Sequence, residues 1–156
     1  MHIVYGVRKD NKRELLDISI NPTESSSSWT ESLIKLKQRG VNQIDLVVAD
    51  GLNGLEQEIQ KAFPGTSFQK CVVDKMRNLL NKVRPKDKQV LAKELKEVFN
   101  NFQKDSTIEG AQAKLEGFVA NWGKLYPEIE GSLVNDTIEY YSTYIKFPYT
   151  VRRMIY

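Results

Sequence analysis

The first group in this chain placed to do chemistry is an aspartate that stands where an apolar run stops. Ile44, Leu46, Val47, Val48 and Ala49 form a near-continuous apolar run, and it ends at Asp50-Gly51. A run of that kind predicts a strand covered on both faces. In an open α/β sheet, ligands and metals are held at the carboxyl ends of the strands. Asp50 therefore occupies the position that a catalytic or metal-holding carboxylate needs. The plainer alternative is an aspartate that only caps the following helix. The lone cysteine, Cys71, is expected to behave as a small buried apolar side chain rather than as a nucleophile.

The surrounding sequence says what must position Asp50. Leu52, Leu55, Ile59 and Phe63 recur at helical spacing after it, with Asn53 and Glu56 as the capping residues, and Pro64-Gly65 ends that helix. A second short strand is expected over Phe68 to Val73, and a basic helical segment from Lys75. Upstream, residues 2–8 and 13–20 read as the two strands of an antiparallel hairpin around the polar turn Lys9-Asp10-Asn11-Lys12. The polar loop from Asn21 to Ser28 leads to a helix carrying Trp29, Leu33, Ile34 and Leu36. Ser28 with Glu31 offers it a capping box, and Arg39-Gly40 closes it.

Beyond Asp74 the pattern becomes wholly helical. Met76, Leu79, Leu80 and Val83 make one apolar face that breaks at Pro85. Val90, Leu91, Leu95, Val98, Phe99 and Phe102 make a second, and the series from Ile108 to Trp122 a third. Shorter segments follow around 128–135 and 136–145, and a last one begins near Phe147-Pro148. The fold class expected is α/β: a hairpin with parallel strands, then an all-α remainder. There is no internal repeat.

Composition sets the outer limits. With 156 residues, 40% apolar and 28% charged, the chain has the make-up of one globular domain. No apolar run approaches a membrane span, and no signal-peptide pattern opens it, so no membrane partner is expected. A single cysteine excludes an internal disulfide and fits a reducing cytoplasm. One histidine and one cysteine cannot build a structural zinc site. No GxGxxG or P-loop motif points to a nucleotide or other small-molecule cofactor. The net charge of +3 is modest, but it is unevenly spread. Residues 75–104 hold nine lysines and arginines against three acids, whereas residues 105–139 hold two against seven. The basic block has the charge to follow a phosphate backbone, or to form a solvated helix surface.

The stretch from Asp50 to Asn78, DGLNGLEQEIQKAFPGTSFQKCVVDKMRN, resembles the signature of the bacterial Mutator-type insertion-sequence transposases. Later pieces agree in order: Trp122 with Tyr126-Pro127, and Phe147-Pro148 through Arg152, Arg153, Ile155 and Tyr156. The resemblance implies an RNase H-like catalytic fold with a triad of two aspartates and a glutamate, in which Asp50 matches the second aspartate. It implies a two-metal site for Mg2+ or Mn2+, since hard cations take carboxylate oxygens. It also implies transposon-end DNA as partner, self-association, and a cytoplasmic, nucleoid-associated bacterial protein. The chain then divides into a partial catalytic core over 1–74, a helical insertion over 75–145, and a return to the core over 146–156. Arg77-Asn78 and Arg152-Arg153 become phosphate contacts, because arginine meets phosphate with two donors. Surface ion pairs are the alternative for both. Trp122 and Tyr126 either stack on bases or, as the core stripe favours, lock the insertion helices together.

Three departures qualify the resemblance. The first aspartate would precede His2 and the glutamate would follow Tyr156, so neither matches a residue of this chain. Asp10, Asp17 and Asp45 do not fit the motif. Where the family carries a histidine three residues after the cysteine, this chain has Asp74, which exchanges a neutral donor for a charged acceptor. The reading is thus a transposase fragment, inactive alone. The alternative is a non-enzymatic DNA-binding or oligomerisation module. The first strand of such a fold is central, and without it two sheet edges are left open. That predicts a rearranged sheet, a strand-swapped dimer or poor solubility.

Overall fold

A computed structural model describes residues 2–10, 12–19, 26–51, 54–134 and 138–154. The chain forms two compact units, Met1–Phe68 and Gln69–Tyr156. Among the described residues there are two two-stranded sheets and eight α-helices. The fold is mixed α/β, as expected.

In the first unit, β1 (His2–Val7) and β2 (Arg13–Ser19) pair antiparallel, with a register shift between Val4 and Tyr5. A Cβ at Gly6 would lie 2.7 Å from Leu16 Cδ1, so a side chain at this position would make Leu16 shift. Helix α1 (Ser26–Gln38) follows, then β3 (Leu46–Ala49), α2 (Leu55–Ala62) and the start of β4 (Ser67–Lys70). The apolar spacing explains the packing. Leu33 and Leu36 of α1 bury against Leu55 and Ile59 of α2 and against Phe63. Burying each such side chain contributes about 1.5–3 kcal/mol. Ser32 donates to Asp17 at 2.7 Å, tying the hairpin to α1. Strand β3 pairs parallel with β4. Its entrance is fixed by Ser67 N–H donating to the Asp45 carbonyl (3.0 Å) and the Thr66 hydroxyl to that of Ile44 (2.9 Å).

Several sequence expectations change here. The β3 strand is shorter than the apolar run, and Val48 is 37% exposed, so β3 is not covered on both faces. Helix α1 begins at Ser26, which places Ser28 inside its first turn rather than at the cap. Glu31 pairs instead with Lys35 at 2.8 Å. Helix α2 is capped by Gly54, whose φ of 85° suits glycine. Asn53, expected as the cap, lies outside the described residues.

The second unit contains α3 (Val72–Leu80), α4 (Lys88–Phe99), α5 (Ile108–Trp122), α6 (Pro127–Val134), α7 (Glu139–Ser142) and α8 (Tyr149–Arg152). The strand expected to reach Val73 stops at Lys70, and α3 starts at Val72. The reason is spacing: Val72, Met76 and Leu79 fall on one helical face and bury in a common core with Leu91, Leu95 and Leu115. Thr107 caps α5 by accepting from Gly110 N–H at 3.0 Å.

At the centre of this core stands Tyr144, in a 3-10 turn over Thr143–Lys146 and fully buried. Its hydroxyl donates to the Phe99 carbonyl at 2.6 Å, and its N–H donates to Oε1 of the buried Gln69 at 2.8 Å. Tyr144→Phe would remove one of two donors on that carbonyl, the Asn101 N–H at 3.2 Å being the other, at a cost of about 0.5–1.5 kcal/mol. Urea unfolding should register this loss, whereas Tyr140→Phe, at an exposed position, should leave the midpoint in place.

Candidate active site and nucleic-acid interface

Asp50 directly follows the last residue of β3 and is exposed. The local sequence accounts for this. The apolar residues before it are held in the strand, and Gly54, at a φ of 85°, caps the helix α2 that follows. Its carboxylate offers hard oxygen donors at a strand's carboxyl end, the position its sequence context predicts.

In the second unit, Cys71 precedes α3 in extended conformation and is partly buried. Burial pushes its thiol above the ordinary value, and the Asp74 carboxylate adds to the rise. At neutral pH the group is a protonated thiol, not a nucleophilic thiolate. Asp74 itself lies in the first turn of α3, where a carboxylate meets the positive end of the helix dipole. It also accepts from Arg77 at 3.0 Å. An acid at this position is therefore compatible with the local fold, although the family resemblance leads one to expect histidine.

Arg77 and Asn78 are both exposed on α3. The Arg152-Arg153 pair divides. Arg152 is only 6% exposed, and its guanidinium donates to the carbonyls of Phe147 (3.0 Å), Ile145 (2.9 Å) and Gln103. Expected at the phosphate surface, it is turned inward, because its donors are spent on backbone oxygens. Arg153 points outward and lines the same groove as Arg77. That convergence of distant residues gave no sequence signal. Trp122 and Tyr126 serve the fold. Their rings stack at 6.1 Å, the indole donates to Glu94 at 2.7 Å, and the phenol donates to Asp87. Lys75, within the basic block, is also buried, with its amine on Ser132 O at 2.7 Å.

Together these features define a mixed α/β chain with a strand-end carboxylate and a helical unit whose surface is basic in part. Comparison with known proteins places it further. The profile of the family described as "Transposase, Mutator family" matches residues 1–156. The chain belongs to the Mutator family of transposases. It is 34% identical over 156 residues to the transposase for insertion sequence element IS905 of Lactococcus lactis, covering all of this chain and 38% of that protein. It is 30% identical to the transposase for IS1201 of Lactobacillus helveticus, covering 41% of it. A match to the transposase for IS256 in transposon Tn4001 of Staphylococcus aureus reaches 34% over 98 residues. The chain thus spans about two fifths of the length of the first two relatives. No helix among the described residues is long and apolar enough to cross a membrane.

The thiol assignment is open to direct test. Alkylation of Cys71 by iodoacetamide should accelerate only as pH rises above 9.0, the ordinary value from which its pKa is raised. Asp74→Asn should shift that profile to lower pH, because a neighbouring negative charge is removed.

Proposed function

We propose that this chain is the part of an insertion-sequence transposase that carries the second catalytic aspartate, within an RNase H-like core, together with a helical insertion. Asp50 carries the reading: it stands at the end of a strand, in a chain that matches the family along its whole length. The partial core is residues 1–74, the insertion 75–145 and the return 146–156. In the complete protein, the activity is metal-dependent cleavage and transfer of DNA strands at element ends. Bound divalent ions, Mg2+ or Mn2+, would sharpen a water or 3′-hydroxyl as nucleophile and stabilise the leaving oxygen. The exposed oxygens of Asp50 fit such ions and would supply one of the ligands. Arg77, Asn78 and Arg153 would hold backbone phosphates, with Arg152 fixing the turn that presents Arg153.

The chain alone is expected to be inert in this chemistry, because one carboxylate of the triad does not make a two-metal site. A labelled DNA end from the repeats flanking the reading frame, incubated with the chain and Mg2+ or Mn2+, should be neither cut nor joined. Cleavage that Asp50→Ala abolishes would overturn this expectation. In the longer protein, Asp50→Ala should remove cleavage while leaving DNA binding in place.

Self-association is supported by the hairpin. Ile3 pairs with Ile18 and Tyr5 with Leu15 across the ladder, and all four side chains are exposed. Exposed apolar groups on a short hairpin invite a partner. Light scattering should show a mass above that of one chain as concentration rises, and Tyr5→Lys with Leu15→Lys should return it to monomer. A wild-type monomer throughout would count against self-association.

A further inference from the structure

The groove shared by Arg77 and Arg153 is more specific than a basic surface. It is an open depression with about 510 Å³ of accessible space. Its floor is apolar: Val73, Met76 and Leu80 from one stripe of α3, and Phe102 from the turn after α4. Phe102 is held in place by the ring of Tyr144, with centroids 5.4 Å apart. The rim is cationic, formed by Arg77, Lys96 and Arg153, and among the described residues no carboxylate lines the groove. Asp74 offsets the charge of Arg77, whereas Lys96 and Arg153 make no ion pair among the described residues.

We propose that this groove binds a single-stranded segment of nucleic acid, with one unstacked base on the apolar floor and its neighbouring phosphates on Arg77, Lys96 and Arg153. The inference rests on the DNA-binding reading above and names a strand state and a subsite for it. Stacked, paired bases present only their edges and backbone, so a duplex can use the cations but not the floor. An unstacked base can use both. An acidic amphipathic helix is the competing occupant. Even without the buried Lys75, the block over 75–104 keeps an excess of basic residues over acids, the charge that a phosphate backbone needs.

The test uses the full chain, a fluorescein-labelled single-stranded oligodeoxynucleotide and the matching duplex, read by anisotropy at low salt. Lys96→Glu with Arg153→Glu should weaken single-strand binding by about tenfold or more. Val73→Asn, a neutral change at an exposed floor site, should weaken single-strand binding by about threefold or more while duplex binding holds. Circular dichroism verifies that each variant is folded. Near-ultraviolet irradiation with 5-iodouracil in the strand should crosslink to peptides containing Phe102 or Met76.

Other outcomes discriminate. Unchanged single-strand affinity in the folded variants, with wild-type DNA binding intact, overturns the groove assignment alone. Equal losses for single strand and duplex in Val73→Asn, or no loss in either, leave only a charged surface and overturn the base-binding floor. Binding of neither DNA by the wild type sinks the DNA reading and this inference with it. Binding of an acidic leucine-rich helical peptide in the groove, with no single-strand binding, assigns the site to a protein partner instead.

Discussion

The helical unit depends on buried polar groups that are satisfied by partners from distant parts of the sequence. Tyr144 and Gln69 are both fully buried, and each is bound to backbone or side-chain partners from distant parts of the sequence. An apolar core is tolerant of sliding, since its contacts are numerous and non-directional. A buried amide and phenol are not tolerant, because a shift leaves them unsatisfied at about 1–3 kcal/mol each. The Tyr144 hydroxyl fixes where α4 ends, at the Phe99 carbonyl, and its N–H fixes Gln69 at the start of the unit. The helices pack by hydrophobic spacing, and this polar pair sets their register.

A second constraint of the same kind lies at Arg152. A buried guanidinium is costly unless its donors are filled, and here backbone carbonyls fill them. Those carbonyls belong to Gln103, Ile145 and Phe147, so one side chain joins the turn after α4 to the turn before α8. Phe102 and Arg153 are next to the joined residues in sequence. The shape of the groove between them is therefore a consequence of internal hydrogen bonding, not of loop composition. The pair Arg152-Arg153 shows how two identical residues acquire opposite roles from a single step along the backbone.

What the sequence made legible follows from which forces are local. The hairpin, the end of α2 at Pro64-Gly65 and the Ile108–Trp122 helix were all readable, because turn residues and apolar periodicity act within a few positions. The Asp50 position was readable because a strand end is marked by the residues on either side of it. The β4–α3 boundary was misjudged because Val72 and Val73 favour strand by intrinsic preference. The burial of Val72 with Met76 and Leu79 overrides that preference, and burial is a tertiary effect. The same limit applies to the site. Arg77 and Arg153 each stood out, but their meeting in one groove, and the part played by Lys96 and Phe102, depend on packing between separate helices and turns.

The distribution of charge gains meaning from this packing. Lys75 belongs to the basic block in sequence, yet its amine is consumed by Ser132 and lies over the Tyr141 ring at 5.4 Å. Arg77 shares its charge with Asp74. The block's local excess therefore overstates the field that a partner meets, and the effective charge is concentrated at cations that the fold leaves outward, Lys96 and Arg153 among them. Isolated surface charges attract an anion weakly and are screened by salt. Charges placed around an apolar floor act differently, because a ligand that covers the floor also displaces water from the ion pairs it makes. A lysine count along the sequence measures the first effect only. The second arises from the turn that Arg152 holds closed.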